Sequence, residues 1–221
     1  MRTIALFLLL FCFFQNSVAQ ESKYIQIMEE NVNKIDSAES LNDWLAIANT
    51  MERIAEKEKD QWLPAYYASY CYLMTGIFTE KKKDQEAWYS KADEWIQKCE
   101  KTGSIDSAEV LVLKANIWQM QISLKPMKLG QTLGPLADMA MKDAEKLSPE
   151  NPRVHLLKGQ NAFYTPPMFG GDKDFAYECF LKAKDLFGSF KAESTIHPRW
   201  GIQQTEFMIQ EYEKEKDKEK N

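Results

Sequence analysis

Apolar and small side chains recur every three to four residues along most of the chain, a spacing that is typical of amphipathic α-helices. Short polar stretches separate these segments, and several of the stretches contain glycine or proline. β-Branched residues are sparse beside Ala, Leu, Glu and Lys, which also favours helices. The pattern predicts an all-α chain with helices near residues 22–36, 41–58, 63–76, 84–101, 105–123, 132–147, 152–164, 172–187 and 198–217.

The first nineteen residues differ from the rest. Arg2 supplies a positive charge, and residues 4–14 form an unbroken apolar run. Ser17 and Ala19 then place small residues where a signal peptidase cleaves, before Gln20. We predict a cleaved secretory signal at 1–19, because the run is shorter than the ~20 residues that span a bilayer. The alternative is an N-terminal membrane anchor.

The remaining chain divides into a helical domain, residues 20–210, and a charged C-terminal tail, residues 211–221. Within the domain, two late helices carry the same small–large–small pattern on one face. Such a face lets two helices approach closely and interlock. The two sets are Ala137, Met141 and Ala144, and Ala176, Phe180 and Ala183.

These positions resemble the tetratricopeptide repeat, in which helix A, a turn and helix B form a unit of about 34 residues. The junction from Ala144 through Leu147, Ser148, Pro149 and Asn151 to Gly159 is similar to the end of a helix B and the next helix A. Tyr72, Gly76 and Phe78 are similar to the end of an earlier helix A. The resemblance covers roughly residues 62–188. It implies an α–α superhelix (a TPR-like solenoid) of about four helix pairs with a C-terminal capping helix.

Composition and charge restrict the possible functions. Lys and Arg total 28 against 33 Asp and Glu, a net charge of −5 without a basic stripe, which argues against nucleic acid as a partner. Only two histidines are present, far apart in sequence, and no Cys-x2-Cys, Walker or Gly-x-Ser-x-Gly motif occurs. We therefore expect no catalytic site, metal site or cofactor, and no membrane span after signal removal.

Three cysteines remain after signal removal: Cys71, Cys99 and Cys179. The number is odd and the residues are widely spaced among apolar neighbours, unlike a disulfide framework. We expect three mostly buried thiols, with a single bridge as the alternative.

In tetratricopeptide repeats, the A helices line a concave groove. This resemblance implies a peptide-binding surface that combines aromatic, amide and apolar side chains. The corresponding residues are Tyr66, Tyr70, Met74, Asn116, Gln119, Arg153, Gln160, Phe163 and Tyr164.

The turns between helices A and B offer a second candidate surface. All three recognisable turns are expected to be longer than in the family: residues 77–83, 125–131 and 165–171. Insertions in repeats often form the binding edge. The candidate residues are Phe78, Met127, Leu129, Pro167, Met168, Phe169, Gly170 and Gly171. Alternatively, and with equal weight, these loops fold back over the helix ends and close the core. For the last loop, we favour a structural turn in which Asp172 caps the following helix.

These features favour a non-enzymatic exported scaffold that binds a protein or peptide in the cell envelope, periplasmic in a Gram-negative host and otherwise secreted. The alternative is a small-molecule-binding helical protein similar to transporter accessory subunits. A remote alternative is an enzyme on a helical scaffold. The sequence leaves the partner and the oligomeric state open.

Overall fold

A computed structural model describes residues 22–220, which form nine α-helices, one 3-10 turn and no β-strand. Helix α1 covers residues 22–35. The others are α2 (Leu41–Lys57), α3 (Trp62–Ile77), α4 (Lys82–Cys99), α5 (Ser107–Leu124), α6 (Pro126–Leu147), α7 (Pro152–Tyr164), α8 (Lys173–Ser189) and α9 (Ile202–Lys220). The predicted signal, residues 1–19, lies outside the described residues. None of the described helices has the length and apolar character needed to cross a bilayer.

Short polar side chains fix where several helices begin. Ser40 and Asp43 form a reciprocal capping box at α2, in which each side chain accepts a hydrogen bond from the other residue's backbone amide. Asp106 caps α5, and Asn151 followed by Pro152 caps α7. Each cap satisfies amides that have no partner within the helix, so these starts are set locally.

Successive helices pack against one another, and the first helices of neighbouring pairs, α3, α5 and α7, are also in contact. The result is the predicted all-α solenoid of four helix pairs followed by a C-terminal helix. Glycines allow the closest crossings within pairs. A Cβ added at Gly159 of α7 would lie 2.4 Å from the Phe180 ring of α8, and one at Gly76 of α3 would lie 2.3 Å from the Tyr89 ring of α4.

Two of the three predicted A–B turns, 77–83 and 125–131, are shorter than the sequence suggests. The predicted loop at 125–131 is wrong, because α6 begins at Pro126. Proline is favoured at the first helical position, where its missing amide has no helical partner to lose. Helix α4 likewise begins at Lys82, inside the expected 77–83 turn. Of the three predicted A–B turns, only the one between α7 and α8 is long, and it contains the 3-10 turn Pro167–Phe169.

The charged range 211–221 continues α9 as far as Lys220. The Tyr212 ring stacks on Tyr177 of α8 at 4.3 Å, and its hydroxyl donates a hydrogen bond to Asp174 at 2.6 Å. This range therefore packs along α8.

The segment that joins α8 to α9, residues 190–201, crosses back over the first helices of the pairs. Arg199 pairs with Asp36 at 2.7 Å, just beyond α1, and Ile196 accepts a hydrogen bond from Tyr67 of α3. Trp200 stacks on Tyr70 of α3 at 4.8 Å. We call this stretch the crossing segment; it closes the face that the A helices present.

Candidate ligand-binding surface

The connection from α7 to α8 is a tight turn closed by backbone hydrogen bonds, including those from Phe169 and Gly171 to the Pro166 carbonyl. Gly170 has a φ of +91°, a backbone conformation that side chains with a Cβ rarely adopt. A Cβ at Gly171 would lie 1.7 Å from the Thr165 carbonyl oxygen. Asp172 then caps α8 by accepting hydrogen bonds from the amides of Asp174 and Phe175. The backbone geometry of this turn therefore requires glycine at both positions.

This turn exposes large apolar side chains to solvent. Met168 is 82% exposed, Phe169 71% and Tyr164 67%. The Tyr164 hydroxyl contacts the Met208 sulfur of α9 at 3.4 Å, and Phe207, the neighbour of Met208, is also exposed. We call Tyr164, Met168 and Phe169 the loop surface. Exposed apolar side chains concentrated in this way often mark an interaction site.

Charged side chains border the loop surface. Lys173 pairs with Glu215 of α9, and its ammonium lies 4.9 Å from the centre of the Phe163 ring. A cleft of about 260 Å³ lies between the loop and α9. Its lining residues are Pro167, Gly171, Asp172, Lys173, Asp174, Tyr212, Glu215 and Lys216. This volume is below the ~300 Å³ at which small-molecule pockets begin, so a larger ligand would lie against the surface.

The crossing segment and α9 cover part of the predicted concave groove. Its residues on α3, together with Arg153 and Phe163, are buried, and those on α5 and Gln160 are half-buried. Trp200 donates a hydrogen bond to Tyr66, and Gln204 of α9 approaches Tyr70 at 3.5 Å. Of the nine predicted groove residues, only Tyr164 is exposed. Residues of the crossing segment and α9 therefore contact several of the side chains that, by the resemblance, would bind a peptide.

Arg153 belongs to a buried ion pair. It binds both carboxylate oxygens of Glu109 on α5, and the Asn151 amide and Tyr66 hydroxyl also donate to that carboxylate. Burial alone would lower the pKa of Arg153, but the attraction of Glu109 raises it above its usual value. Its guanidinium also donates to the Trp200 carbonyl at 3.3 Å. The arginine thus joins α5, α7 and the crossing segment.

The remaining predicted loop residues lie apart from the α7–α8 loop. Phe78 packs its ring 6.1 Å from Trp44, at the end of α3. Met127 and Leu129 lie in the first turns of α6; Met127 is 92% exposed and Leu129 is half-buried. Their positions neither establish nor exclude binding, which stays a prediction for these three residues.

Neither histidine lies at the loop surface. His155 is buried in α7 with its Nε2 2.9 Å from the Pro149 carbonyl oxygen, and burial lowers the pKa of its ring. His197 lies in the crossing segment beside Asp106 and Glu193. Sequence spacing missed this last group, because Asp106 and the other two residues are far apart along the chain.

The three cysteines are buried and have free thiols. Burial, with a contribution from Glu100, raises the pKa of Cys99 to about 12, and burial also raises the pKa of Cys71. These thiols remain protonated at neutral pH, which makes them poor nucleophiles.

No protein-family model matches the chain, and no curated protein matches it. Among solved structures, a protein of the haemophore class shares the fold. It is the HusA haemophore from Porphyromonas gingivalis, which superposes with a TM-score of 0.76 at 26% sequence identity. The match covers 87% of this chain and 94% of the haemophore. This similarity favours the small-molecule alternative over the protein-partner interpretation.

Proposed function

We propose that this chain is an exported protein that binds haem, or a closely similar flat tetrapyrrole, at the loop surface. The similarity to a haemophore along nearly the whole of both chains is the observation that carries the proposal. The apolar run at 4–14, followed by small residues before Gln20, supports export.

The chemistry of the loop surface suits such a ligand. A tetrapyrrole has two broad apolar faces and, in haem, carboxylates along one edge. Met168 and Phe169 offer exposed apolar contacts on a backbone that the glycine turn holds in place. A preformed contact surface reduces the entropy lost on binding. The nearby Lys173 ammonium already pairs with Glu215, so a carboxylate of the ligand would compete with that side chain for it.

The available iron ligands are also restricted. Both histidines are buried away from the loop surface, so it offers no imidazole. Burial, with Glu211 and Glu215, raises the pKa of Tyr164, which disfavours its phenolate as the iron ligand. The Met168 thioether is the remaining neutral donor on this surface. We therefore propose that apolar contact supplies most of the affinity, with the sulfur as the iron ligand.

The test is a titration of the chain from Gln20 to Asn221 with haem, followed by absorption, and with iron-free protoporphyrin, followed by tryptophan fluorescence. We expect both to bind. Changing Met168 and Phe169 together to Ser should weaken both by about tenfold or more, because apolar area is lost. Met168→Leu keeps that area and removes the sulfur, so it should change the haem spectrum and leave protoporphyrin affinity intact.

The matched control is the double change of Met139 and Leu147 to Ser. Both are exposed apolar residues of α6, outside the loop surface. If the control variant and the Met168/Phe169 variant weaken porphyrin binding equally, the assignment of binding to the loop surface is contradicted. Absence of binding by the unmodified chain would overturn the proposed function.

A further inference from the structure

A second group of polar side chains lies away from the loop surface, where the crossing segment meets the start of α5. Asp106 is the N-cap of α5, and Glu193 and His197 belong to the crossing segment. One ligand atom from each residue lies within 4.8 Å of the others. The His197 Nε2 is 3.3 Å from Asp106 Oδ2 and 3.9 Å from Glu193 Oε2.

The state of His197 sets this group apart from an ordinary surface cluster. Its side chain is only 7% exposed; Nδ1 has no hydrogen-bond partner, and Nε2 faces Asp106 Oδ2 at 3.3 Å without the alignment of a hydrogen bond. The Trp62 ring packs edge-on against the imidazole at 6.0 Å. Buried polar atoms are nearly always satisfied in folded proteins, so a buried imidazole aimed at two carboxylates calls for a partner.

The carboxylates of Asp106 and Glu193 are placed so that they could bind a cation together with His197. Asp106 Oδ1 accepts hydrogen bonds from the amides of Ala108 and Glu109, which leaves Oδ2 facing His197. Glu193 is 80% exposed and gives an ion a route in from solvent.

We propose that Asp106 Oδ2, Glu193 Oε2 and His197 Nε2 bind one divalent transition-metal ion of the Zn²⁺ type. One imidazole and two carboxylates form a mixed nitrogen and oxygen donor set that Zn²⁺ accepts, and the two negative charges balance the ion. The ion fastens the crossing segment to α5. Water completes its coordination on the side of Glu193.

The experiment uses the chain from Gln20 to Asn221 after treatment with a chelator and dialysis. Zn²⁺ binding is measured by calorimetry, Co²⁺ binding by visible absorption, and the melting temperature with and without Zn²⁺. We expect one ion per chain and a higher melting temperature with Zn²⁺, because an ion that binds the folded state stabilises it. Glu193→Gln and His197→Gln should each weaken binding by about tenfold or more.

Control measurements test whether the ion binds at these three residues. Glu193→Gln should leave the fold intact, because the side chain is exposed, and circular dichroism without metal checks this. His155→Gln removes the other histidine and should leave Zn²⁺ affinity unchanged. Absence of stoichiometric Zn²⁺ binding, unchanged affinity in either ligand variant, or loss in His155→Gln would each overturn the proposal. The loop surface contains none of the three ligands, so the porphyrin titration of Glu193→Gln should match the unmodified chain whichever way the metal experiment ends.

Discussion

At the scale of single residues, the buried pair of Glu109 and Arg153 has the largest expected effect on stability. Both side chains are essentially inaccessible, and every partner of the carboxylate lies in a different part of the fold from α5. Removing one member of a buried pair leaves the other charged and without compensation. The pair therefore holds α5 and α7 in a single relative position.

Arg153→Met should lower the free energy of unfolding by about 3–5 kcal/mol, measured by urea denaturation at neutral pH. The double variant with Glu109→Leu should recover part of that loss, since no uncompensated charge remains. Lys158→Met is the control, because its ion pair with Glu145 is partly exposed and should change stability by about 1 kcal/mol or less. An Arg153→Met effect equal to the control would contradict the assigned role.

At the scale of elements, glycines decide how closely the two helices of a pair approach. Gly159 of α7 faces the Phe180 ring, and a methyl group there would also lie 3.0 Å from the Ala176 carbonyl oxygen of α8. Interiors are close-packed, so the extra carbon has to displace a ring or a backbone. The close approach of α7 and α8 thus requires a residue without a Cβ at position 159.

Gly159→Ala should destabilise the chain by about 1–3 kcal/mol, although alanine is the better helix former, because the crossing would be overpacked. Gly130→Ala in α6 is the matched control, since no atom lies within 4 Å of its added Cβ. It should stabilise by about 0.5–1 kcal/mol. Thermal unfolding of both variants measures the difference, and the same sign of change in both would refute the packing argument.

At the scale of the whole molecule, the crossing segment joins parts of the chain that a linear stack keeps apart. It contacts α3 through Trp200, α7 through Arg153 and the end of α1 through Arg199. In a simple solenoid each repeat contacts only its neighbours. This segment adds long-range contacts, so unfolding should be more cooperative than in an open array.

Trp200→Ala should lower the free energy of unfolding by about 3–5 kcal/mol. It should also reduce amide hydrogen-exchange protection in α1 and α3, which are distant from residue 200 in sequence. Phe175→Ala, a half-exposed position on α8, is the control and should leave α1 and α3 protected as before. If hydrogen exchange after Trp200→Ala changes only in α8 and α9, the crossing segment does not stabilise the distant helices α1 and α3.

Local sequence features predicted much of the fold. The apolar spacing and the junction from Ala144 to Gly159 are short-range signals, and most helices begin and end near the predicted positions. At the candidate site, the α7–α8 loop could be predicted because prolines and paired glycines constrain the backbone within a few residues. The start of α6 was missed: the sequence favoured a loop at residues 125–131, but Pro126 occupies the first helical position.

The sequence by itself therefore determined an all-α chain of paired helices with an apolar, glycine-containing turn after α7. The tertiary structure alone decided that this turn exposes Met168 and Phe169, that Trp200 covers Tyr66 and Tyr70, and that Asp106 meets His197. Residues 190–201 have no helical periodicity, and the hydrogen bond from Trp200 to Tyr66 joins positions 134 residues apart. Such contacts depend on the complementary shape and polarity of surfaces that exist only after the helices have packed, so no local pattern records them.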